Sequence, residues 1–595
     1  MTIACSKFIK KLQDIHYVFL VSLCWKYAEG QRWKMVLFHI LSMCGIVSIL
    51  LQMYVFGRSI GTLQTAGDNI ISELAFWCGA YIGLELLFWV FNAPSRLLER
   101  KLAFFITQNF TEDLYTKITH LPMEWHQNNH SGDVINRVKK ATNGLYFFAE
   151  TQFFHIHNTT MYIGSLIALM LIDLQIGLLV FGISIATLFA ISKFNFYQAR
   201  LEKETNEQEH FLHSALFDYI GNIFTVITLR LEQTTLAEVS KRFTKIFPPL
   251  KKKIYVNELK WFMMCLIMTI LTAGSILFYV WTATGVIMVA TAVLIFQYTS
   301  RINQTFERFA VHYSDLMRHS VDAKSVDNIL EAYDKIDHSK EDISIGDWDT
   351  IRLNNVNFSY EDEEHLIHQL KDINIKLQKG KKIALVGESG SGKSTLMALM
   401  RGLYFADSAE VLVDDTSYEG LYPLYPISTL VPQEPEVFEN TIRYNITAGL
   451  EYSEEELQEA IKVACFDAVL KTLPKGLETD IREKGVNLSG GQKQRLALAR
   501  GVLSAKKRDI ILLDEPTSSV DSANERQIYE NLFEYYSEKC IISSIHRLNL
   551  LPSFDYIYVL DDASLVEQGT FDELISADGA FKKTWDKYSN EANTL

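Results

Sequence analysis

The octapeptide Gly387-Glu388-Ser389-Gly390-Ser391-Gly392-Lys393-Ser394, with Thr395 after it, sets three glycines, a lysine and a hydroxyl at the spacing of a phosphate-binding loop. Glycines allow backbone N–H groups to close around phosphate oxygens with no Cβ in the way, and a following helix N-terminus adds favourable partial charge. In that chemistry Lys393 reaches the β- and γ-phosphates of a nucleoside triphosphate such as ATP, and Ser394 ligates Mg²⁺. The flanks agree: 383–386 is a short apolar run of strand type, and 396–402 is helix-like. Strand, glycine loop and helix in that order are the context the motif requires. The bare pattern would arise by chance in a chain this long with a probability of roughly a few per cent.

A second apolar run, Ile510-Ile-Leu-Leu513, ends in Asp514-Glu515-Pro516. A carboxylate at the C-terminal end of a buried parallel strand is placed to bind Mg²⁺, which assigns Asp514 to the metal. Glu515, between an apolar strand and a proline, is the candidate general base for the attacking water.

The elements that must position these groups are unevenly distributed. At 595 residues the chain suggests two or more domains. The first 340 residues carry about +4 net charge and the remainder about −18, within a total of −14. The polar stretch 337–350 separates the halves. So acidic a back half excludes nonspecific nucleic-acid binding, which needs a basic footprint. The seven cysteines (Cys5, Cys24, Cys44, Cys78, Cys265, Cys465, Cys540) are scattered, with no CxxC pair. They suggest neither a disulfide framework nor a zinc site.

The front half reads as membrane-spanning. Residues 35–56 are uncharged over about 22 positions, enough to cross a ~30 Å hydrocarbon core. Further spans are read at 74–91, 161–172 (extending back towards Phe153), 174–191, 261–281 and 286–296, giving six helices, with a tight hairpin at Asp173. An even number of spans puts the N-terminus, 92–152, 192–260 and the C-terminal domain on one side, where nearly every front-half Lys and Arg falls; Arg58 is the exception. The positive-inside rule makes that side cytoplasmic, and a soluble all-helical protein would show no such bias. The inner segments contain helix-like runs such as 202–231, which would project about 40 Å below the bilayer. Residues 1–32, with Lys7, Lys10 and Lys11, read as an amphipathic segment along the membrane surface.

Polar groups within spans are costly and therefore functional candidates: His39 and Glu85 stand out, although Glu85 equally suits pairing with a neighbouring helix. Arg301 and Arg308 suit interfacial anchoring or contact with anionic headgroups. Trp77, Phe88, Trp89, Tyr162, Phe262, Met263 and Met264 suit either a hydrophobic cargo or a lipid-facing surface.

With Leu488-Ser489-Gly490-Gly491-Gln492, followed by Lys493-Gln494-Arg495, the chain resembles the ATP-binding cassette (ABC) family, whose signature this is. Other elements occur in the family's order. Tyr360 resembles the aromatic that stacks on adenine, and Gln433 in Val-Pro-Gln the loop glutamine that contacts Mg²⁺. Asp521 in Ser-Val-Asp resembles the interface-crossing aspartate, and His546 the switch histidine at the γ-phosphate. In the front half, 121–125 through 131–137 resembles the first cytoplasmic loop of ABC exporters, and 221–226 the second. Glu483 occupies the place of the exporter-specific acidic residue. Ser518-Ser519-Val520-Asp521 varies the usual spacing of small residues but keeps the aspartate.

The resemblance, to bacterial lipid and multidrug exporters of the half-transporter type, implies a fold: a six-helix membrane domain followed by an α/β P-loop NTPase cassette. The expected layout is an elbow segment (1–32), membrane domain (33–336), linker (337–350), cassette (351–588) and tail (589–595). ATP and Mg²⁺ are the implied cofactors, held by Tyr360, 387–395, Ser489, Gly490, Gly491, Gln492 and Asp521 for the nucleotide and by Ser394, Gln433 and Asp514 for the metal. Glu515, His546 and Gln433 are the implied catalytic set. Because the signature serves ATP held by another subunit, the implied partner is a second half-transporter, a second copy being favoured over a different chain. The implied activity is ATP-driven export or flipping of a lipid, drug or peptide by alternating access, in a bacterial plasma membrane with both termini cytoplasmic. An ATP-gated regulator or channel, or an importer on the same fold, is the alternative.

Overall fold

The computed structural model describes the chain apart from residues 1–15, 66–68, 130, 283–287, 337–342, 344, 362–366, 482–487, 578 and 593–595. It forms two compact units, one of residues up to Thr116 with Ile135–Asn328, the other of Lys117–Val134 with residues from Ile329 onwards.

The first unit is helical. In chain order the helices are α1 (His16–Tyr27), α2 (Arg32–Thr65), α3 (Ile70–Thr119), α4 (Met123–Gln127, which belongs to the second unit), α5 (Ser131–Ile172), α6 (Leu174–Gly221), α7 (Ile223–Thr228), α8 (Glu232–Thr282) and α9 (Val289–Ala323). Among the described residues four of them, α2, α3, α6 and α8, are long and apolar enough to cross a membrane by themselves. The expected third span lies in α5, and of the expected sixth span residues 289–296 open α9 while 286 and 287 lie outside the described residues; polar residues flank or break both short apolar runs. Gln152, His157, Asn158 and Ser165 of α5 and Thr299 and Thr305 of α9 are buried inside the unit, so polar positions replace part of the apolar stripe. Leu169, Ile176, Met268, Ile295, Ile302 and Phe306 form a core joining α5, α6, α8 and α9.

Long inner segments become continuous helix. The 50 residues of α3 run through Pro94 and the 51 of α8 through Pro248 and Pro249, each about 75 Å long at 1.5 Å per residue. Below their apolar portions, α6 and α8 are tied by polar contacts: Gln198 Nε2 donates to Asn257 Oδ1 at 3.1 Å, and Lys260 Nζ to Gln198 Oε1 at 2.9 Å. The hairpin at Asp173 forms as read from the sequence. Its carboxylate caps α6 by accepting from the Gln175 and Ile176 N–H groups, and a Cβ on Gly177 would meet Met170 at 2.5 Å.

Candidate polar residues of the spans find ordinary partners. Gln52 Nε2 donates to Glu85 Oε2 at 3.1 Å, so the carboxylate pairs with a neighbouring helix. His39 Nδ1 lies 2.7 Å from the Met35 carbonyl in its own helix, and Arg301 donates to Gln304. Nor do the aromatic and methionine candidates converge on one site: Met264 is buried and Tyr162 packs on Phe306, whereas Trp89, Phe262 and Met263 are exposed.

In the second unit, after α10 (Asp327–Asp334), a four-stranded antiparallel sheet orders as β2–β1–β4–β5, with β1 (Thr350–Glu361), β2 (Ile367–Gln378), β4 (Ser408–Val413) and β5 (Thr416–Glu419). A six-stranded sheet orders as β10–β9–β3–β8–β7–β6, with β3 (Lys382–Val386), β6 (Ser428–Val431), β7 (Ile510–Leu513), β8 (Cys540–Ser544), β9 (Tyr556–Asp561) and β10 (Ser564–Gly569). All its pairings are parallel except β9–β10. Strands β3, β7 and β8 are buried at every position, which is why they read as unbroken apolar runs. The helices are α11 (Lys393–Arg401), α12 (Ile442–Thr447), α13 (Glu454–Val463), α14 (Asp467–Leu470), α15 (Gly490–Ala505), α16 (Ser522–Tyr535), α17 (Phe571–Ser576) and α18 (Ala580–Ala592). Within this unit α4 rests on the segment after α11: the Met123 N–H donates to the Leu403 carbonyl at 2.9 Å and Tyr404 Oη to Gln127 Oε1 at 3.0 Å.

Candidate nucleotide site

Four neighbouring parallel strands, β3, β8, β7 and β6, deliver the candidate residues from their C-terminal ends, the place where open α/β sheets bind ligands. Gly387 follows β3, His546 lies two residues past β8, Asp514 and Glu515 follow β7, and Gln433 lies two residues past β6.

Two glycines of the loop are demanded by the backbone. A Cβ on Gly387 would meet the Leu560 carbonyl oxygen at 2.2 Å, and Gly392, at φ +98°, would drive one into Leu370 at 2.5 Å. Glu388, Ser389 and Gly390 are at the more accessible tip, while Ser391 and Lys393 are buried. Lys393 Nζ donates to the carbonyls of Gly387 and Glu388, both at 2.9 Å. Burial depresses its ammonium below the ordinary lysine value, and Glu515 and Asp514 oppose that shift. Thr395 is half-buried behind Ser394 in the first turn of α11.

Ser394 Oγ donates to Asp514 Oδ1 at 3.0 Å, and Ser544 Oγ donates to the same oxygen at 2.9 Å. Hydroxyl and carboxylate oxygens side by side are hard donors, the type that holds Mg²⁺ alongside water and phosphate oxygens. Among the described residues no group of three His, Cys, Asp or Glu side chains could hold a metal alone. Glu515 adopts φ +45°, a conformation L side chains rarely take, and its N–H donates to Ser544 Oγ at 2.8 Å. The carboxylate lies between two predicted partners. Gln433 Nε2 donates to Oε2 at 2.8 Å, and His546 Nε2 lies 2.5 Å from Oε1. Lys393, Ser394, Gln433, Asp514, Glu515 and His546 therefore form one hydrogen-bonded or charge-coupled group.

The signature residues stand apart from it. Ser489 caps α15: the Gln492 N–H donates to Ser489 Oγ at 3.3 Å, and the Gln492 side chain accepts from the Ser489 N–H at 2.9 Å. Ser489 and Gly490 are exposed, and a Cβ on Gly491 would meet the Ser519 carbonyl at 2.6 Å. No hydrogen bond among the described residues joins Ser489, Gly490, Gly491 or Gln492 to 387–395. Asp521 caps α16, and hydrogen bonds from the Asn524 side chain and N–H hold its carboxyl below the usual aspartate value. Tyr360 lies on β1 with its backbone opposite His368. The Tyr360 ring and all of Glu483 lie outside the described residues.

Two contributors lie outside the expected set of site residues, although Gln494 falls within the signature run. Buried Gln494, one turn into α15, donates to Ser518 Oγ at 2.7 Å and the Gln433 carbonyl at 3.4 Å, and accepts from the Ser519 N–H at 2.8 Å. It thus binds the signature helix to the loops of Gln433 and Asp521. Ser544 serves both Asp514 and the Glu515 backbone; its one signal is that a hydroxyl pair interrupts the apolar strand Ile541-Ile542-Ser543-Ser544.

Comparison with known proteins bears on the family and the fold. The pattern of the family described as ABC transporter transmembrane region matches residues 35–317, and that described as ABC transporter matches 370–518. The chain is similar to the ATP-binding cassette sub-family B member 6 of Mesocricetus auratus, 28% identical over 492 residues covering 79% of this chain and 56% of that protein. It thus spans little more than half of that relative's length. It is 38% identical over 239 residues to the ATP-dependent lipid A-core flippase of Photobacterium profundum, covering 39% of this chain and 40% of the other. The fold is that of a solved bacterial Atm1-family ABC exporter with ATP bound, at a TM-score of 0.78 and 22% identity over 94% of this chain and 98% of the other.

Proposed function

The chain belongs to the ABC transporter family, with the family's transmembrane and ATPase regions in one multi-pass membrane polypeptide, and from that premise we propose that it is one half of a dimeric exporter in which ATP hydrolysis drives a hydrophobic or amphipathic cargo across the membrane. The observation that carries the reading is the Glu515 carboxylate held between Gln433 and His546, next to the Ser394–Asp514 pair.

In this reading the backbone of 387–392 cradles the phosphates, Lys393 holds the β- and γ-phosphates, and Tyr360 stacks on adenine. Ser394, Asp514 and Gln433 would hold Mg²⁺, which would neutralise charge on the phosphate oxygens when bound. Glu515 accepts the proton of the attacking water, and His546 orients that carboxylate and reaches the γ-phosphate. Ser489, Gly490, Gly491 and Gln492 offer the N-terminus of α15 to ATP held by a second subunit, while Asp521 crosses the interface. The exposure of Ser489 and Gly490 and their separation from the chain's own phosphate loop support that division of labour. A second copy is the favoured partner, because each of these catalytic positions is intact in this chain. The short α7, with Ile223, Phe224 and Ile227 exposed, supplies apolar surface for that copy.

Closure of two cassettes on ATP then turns the membrane cavity outward, and a swing from mostly open to mostly closed takes about 5.5 kcal/mol of differential binding. Two sets of contacts to one γ-phosphate, from Lys393 and from the signature helix, can supply it. The cargo class is lipid, drug or peptide, the proposed location is a bacterial plasma membrane, and the basic inner segments support both termini being cytoplasmic. A gate that only binds ATP would need neither Glu515 nor His546. The reading is tested by Mg²⁺-dependent ATPase activity of the full-length protein in lipid nanodiscs, screened against phospholipids, hydrophobic dyes and peptides. Stimulation by at least one class is expected; hydrolysis undiminished in nanodiscs holding a single chain would overturn the two-chain site.

A further inference from the structure

Glu525 lies in the first turn and a half of α16 and is 5% exposed. A buried carboxylate must be paired or hydrogen-bonded, and both oxygens of this one are used. Oε1 accepts from Thr517 Oγ1 at 2.8 Å, and Oε2 accepts from Arg547 Nη1 at 2.9 Å. Thr517 stands two residues after Glu515, and Arg547 is the residue next to His546. One side chain therefore holds the two short segments that carry the proton acceptor and its histidine.

The helix bearing Glu525 is itself anchored at both ends of that contact. Its N-cap is Asp521, which accepts from the Asn524 N–H at 3.0 Å, and Ser522, three residues before Glu525 and so on the same face, lies 3.4 Å from Arg547 Nη1. One turn on, buried Tyr529 bonds Ser543 Oγ at 2.8 Å, and Ser543 reaches the Leu513 carbonyl at 3.3 Å, so the helix is braced against β7 and β8 as well. A small cavity bordered by Glu515, Thr517, Glu525, Tyr529, His546 and Arg547 lies between the helix and the catalytic pair. The connection from Glu525 to that pair runs through Thr517 and Arg547.

We propose that Glu525, clamping Thr517 on one oxygen and Arg547 on the other, is a positioning residue for hydrolysis that ties the Asp521 loop to the Glu515–His546 contact. A displacement of Asp521 by a second subunit moves the start of α16, and with it both arms of the clamp. The catalytic geometry then forms when the interface loop is seated. The inference rests on the ATPase reading above and extends it: Glu525 and Arg547 touch no reacting atom and act through their neighbours.

The test is steady-state ATPase kinetics of the full-length protein in nanodiscs, with MgATP as the probe. Arg547→Ala and Glu525→Gln are expected to lower kcat by about 100-fold, the scale of a 1 Å misplacement at a reacting centre. KM for MgATP and binding of a fluorescent ATP analogue should stay within about threefold, since the phosphate loop is untouched. Arg547→Lys should restore most of kcat by keeping one charged donor to Oε2. Asp521→Ala combined with Glu525→Gln should lose no more than the larger single effect, because both act through one linkage. If Glu525→Gln melts at a lower temperature, Arg547→Ala and Arg547→Lys carry the comparison, Arg547 being partly exposed. Unchanged kcat in Arg547→Ala, a parallel loss of kcat and nucleotide binding, or multiplying losses in the double variant would overturn the proposal. Failure of the underlying reading looks different: Glu515→Gln would hydrolyse ATP at the wild-type rate.

Discussion

His546 Nε2 lies 2.5 Å from Glu515 Oε1, so the imidazole that follows β8 fixes the carboxylate that follows β7. The strands pair in parallel, with Leu513 opposite Ser543, and that register brings the two side chains together across their ends. Removing the ring should leave the phosphate loop able to bind ATP while the base loses its orientation. His546→Ala is expected to lower kcat by about 10²- to 10⁴-fold, the usual contribution of acid–base groups, with little change in the affinity for a fluorescent ATP analogue. Equal losses of binding and turnover would remove His546 from the catalytic step.

Gln494 should matter for stability as well as turnover. Its amide satisfies Ser518 Oγ and the Ser519 N–H from inside the fold, and Gln494→Ala would leave both without that partner. The expected cost is about 1–3 kcal/mol, which for a domain of this size lowers the cassette's melting temperature by roughly 2–4 °C per kcal/mol. Thermal melts of the full-length protein with and without MgATP measure it. A melting temperature unchanged within about 1 °C would mean that solvent replaces the network.

Gly387 and Gly491 fail for different reasons when given a side chain. At Gly387 a Cβ collides with the Leu560 carbonyl, beneath the phosphate cradle; at Gly491 it collides with the Ser519 carbonyl, two residues before Asp521. Gly387→Ala should therefore lose ATP binding. Gly491→Ala should retain binding and lose hydrolysis if, as proposed, the displaced parts serve ATP held by a second subunit. Binding and turnover assays on the two variants separate the effects, and a loss of binding in Gly491→Ala would contradict the division between the chain's own loop and its signature.

Phe224 is 80% exposed on the short helix α7, with Ile220, Ile223 and Ile227 exposed nearby. A charge there should disturb docking of a second copy and leave the nucleotide site of the same chain alone. Phe224→Asp is expected to keep ATP-analogue binding within about twofold and to lose most cargo-stimulated hydrolysis. Full stimulation in the variant would show that this surface has no role in coupling.

Local patterns made much of the site legible. Asp514 and Glu515 sit where an apolar strand meets a loop, and Lys393 and Ser394 where a glycine loop meets a helix; both junctions are written in consecutive residues. Glu525 and Arg547 are 22 positions apart, and Gln494 is 61 positions from Gln433. Only the stacking of β6, β7 and β8 brings such pairs within hydrogen-bonding reach, and no spacing rule announces them. The spans behaved in the same way. Four apolar runs were self-evident, whereas those in α5 and α9 were shortened by polar residues that the bundle buries, such as Gln152 and Thr299. The pairing of Glu85 with Gln52 was visible only as one of two readings, because a sequence does not say which helix stands beside a carboxylate.

In the proposed mechanism, turnover at Glu515 powers movement of cargo. Its most direct test is transport in sealed vesicles carrying the full-length protein with its cassettes outward, using a fluorescent phospholipid and a hydrophobic dye as probes, in the wild type and in Glu515→Gln. The wild type is expected to move at least one probe in a MgATP-dependent way, and the variant to do so at a steady-state rate reduced by about 10²- to 10³-fold. Movement that continues in Glu515→Gln at the wild-type steady-state rate would contradict it.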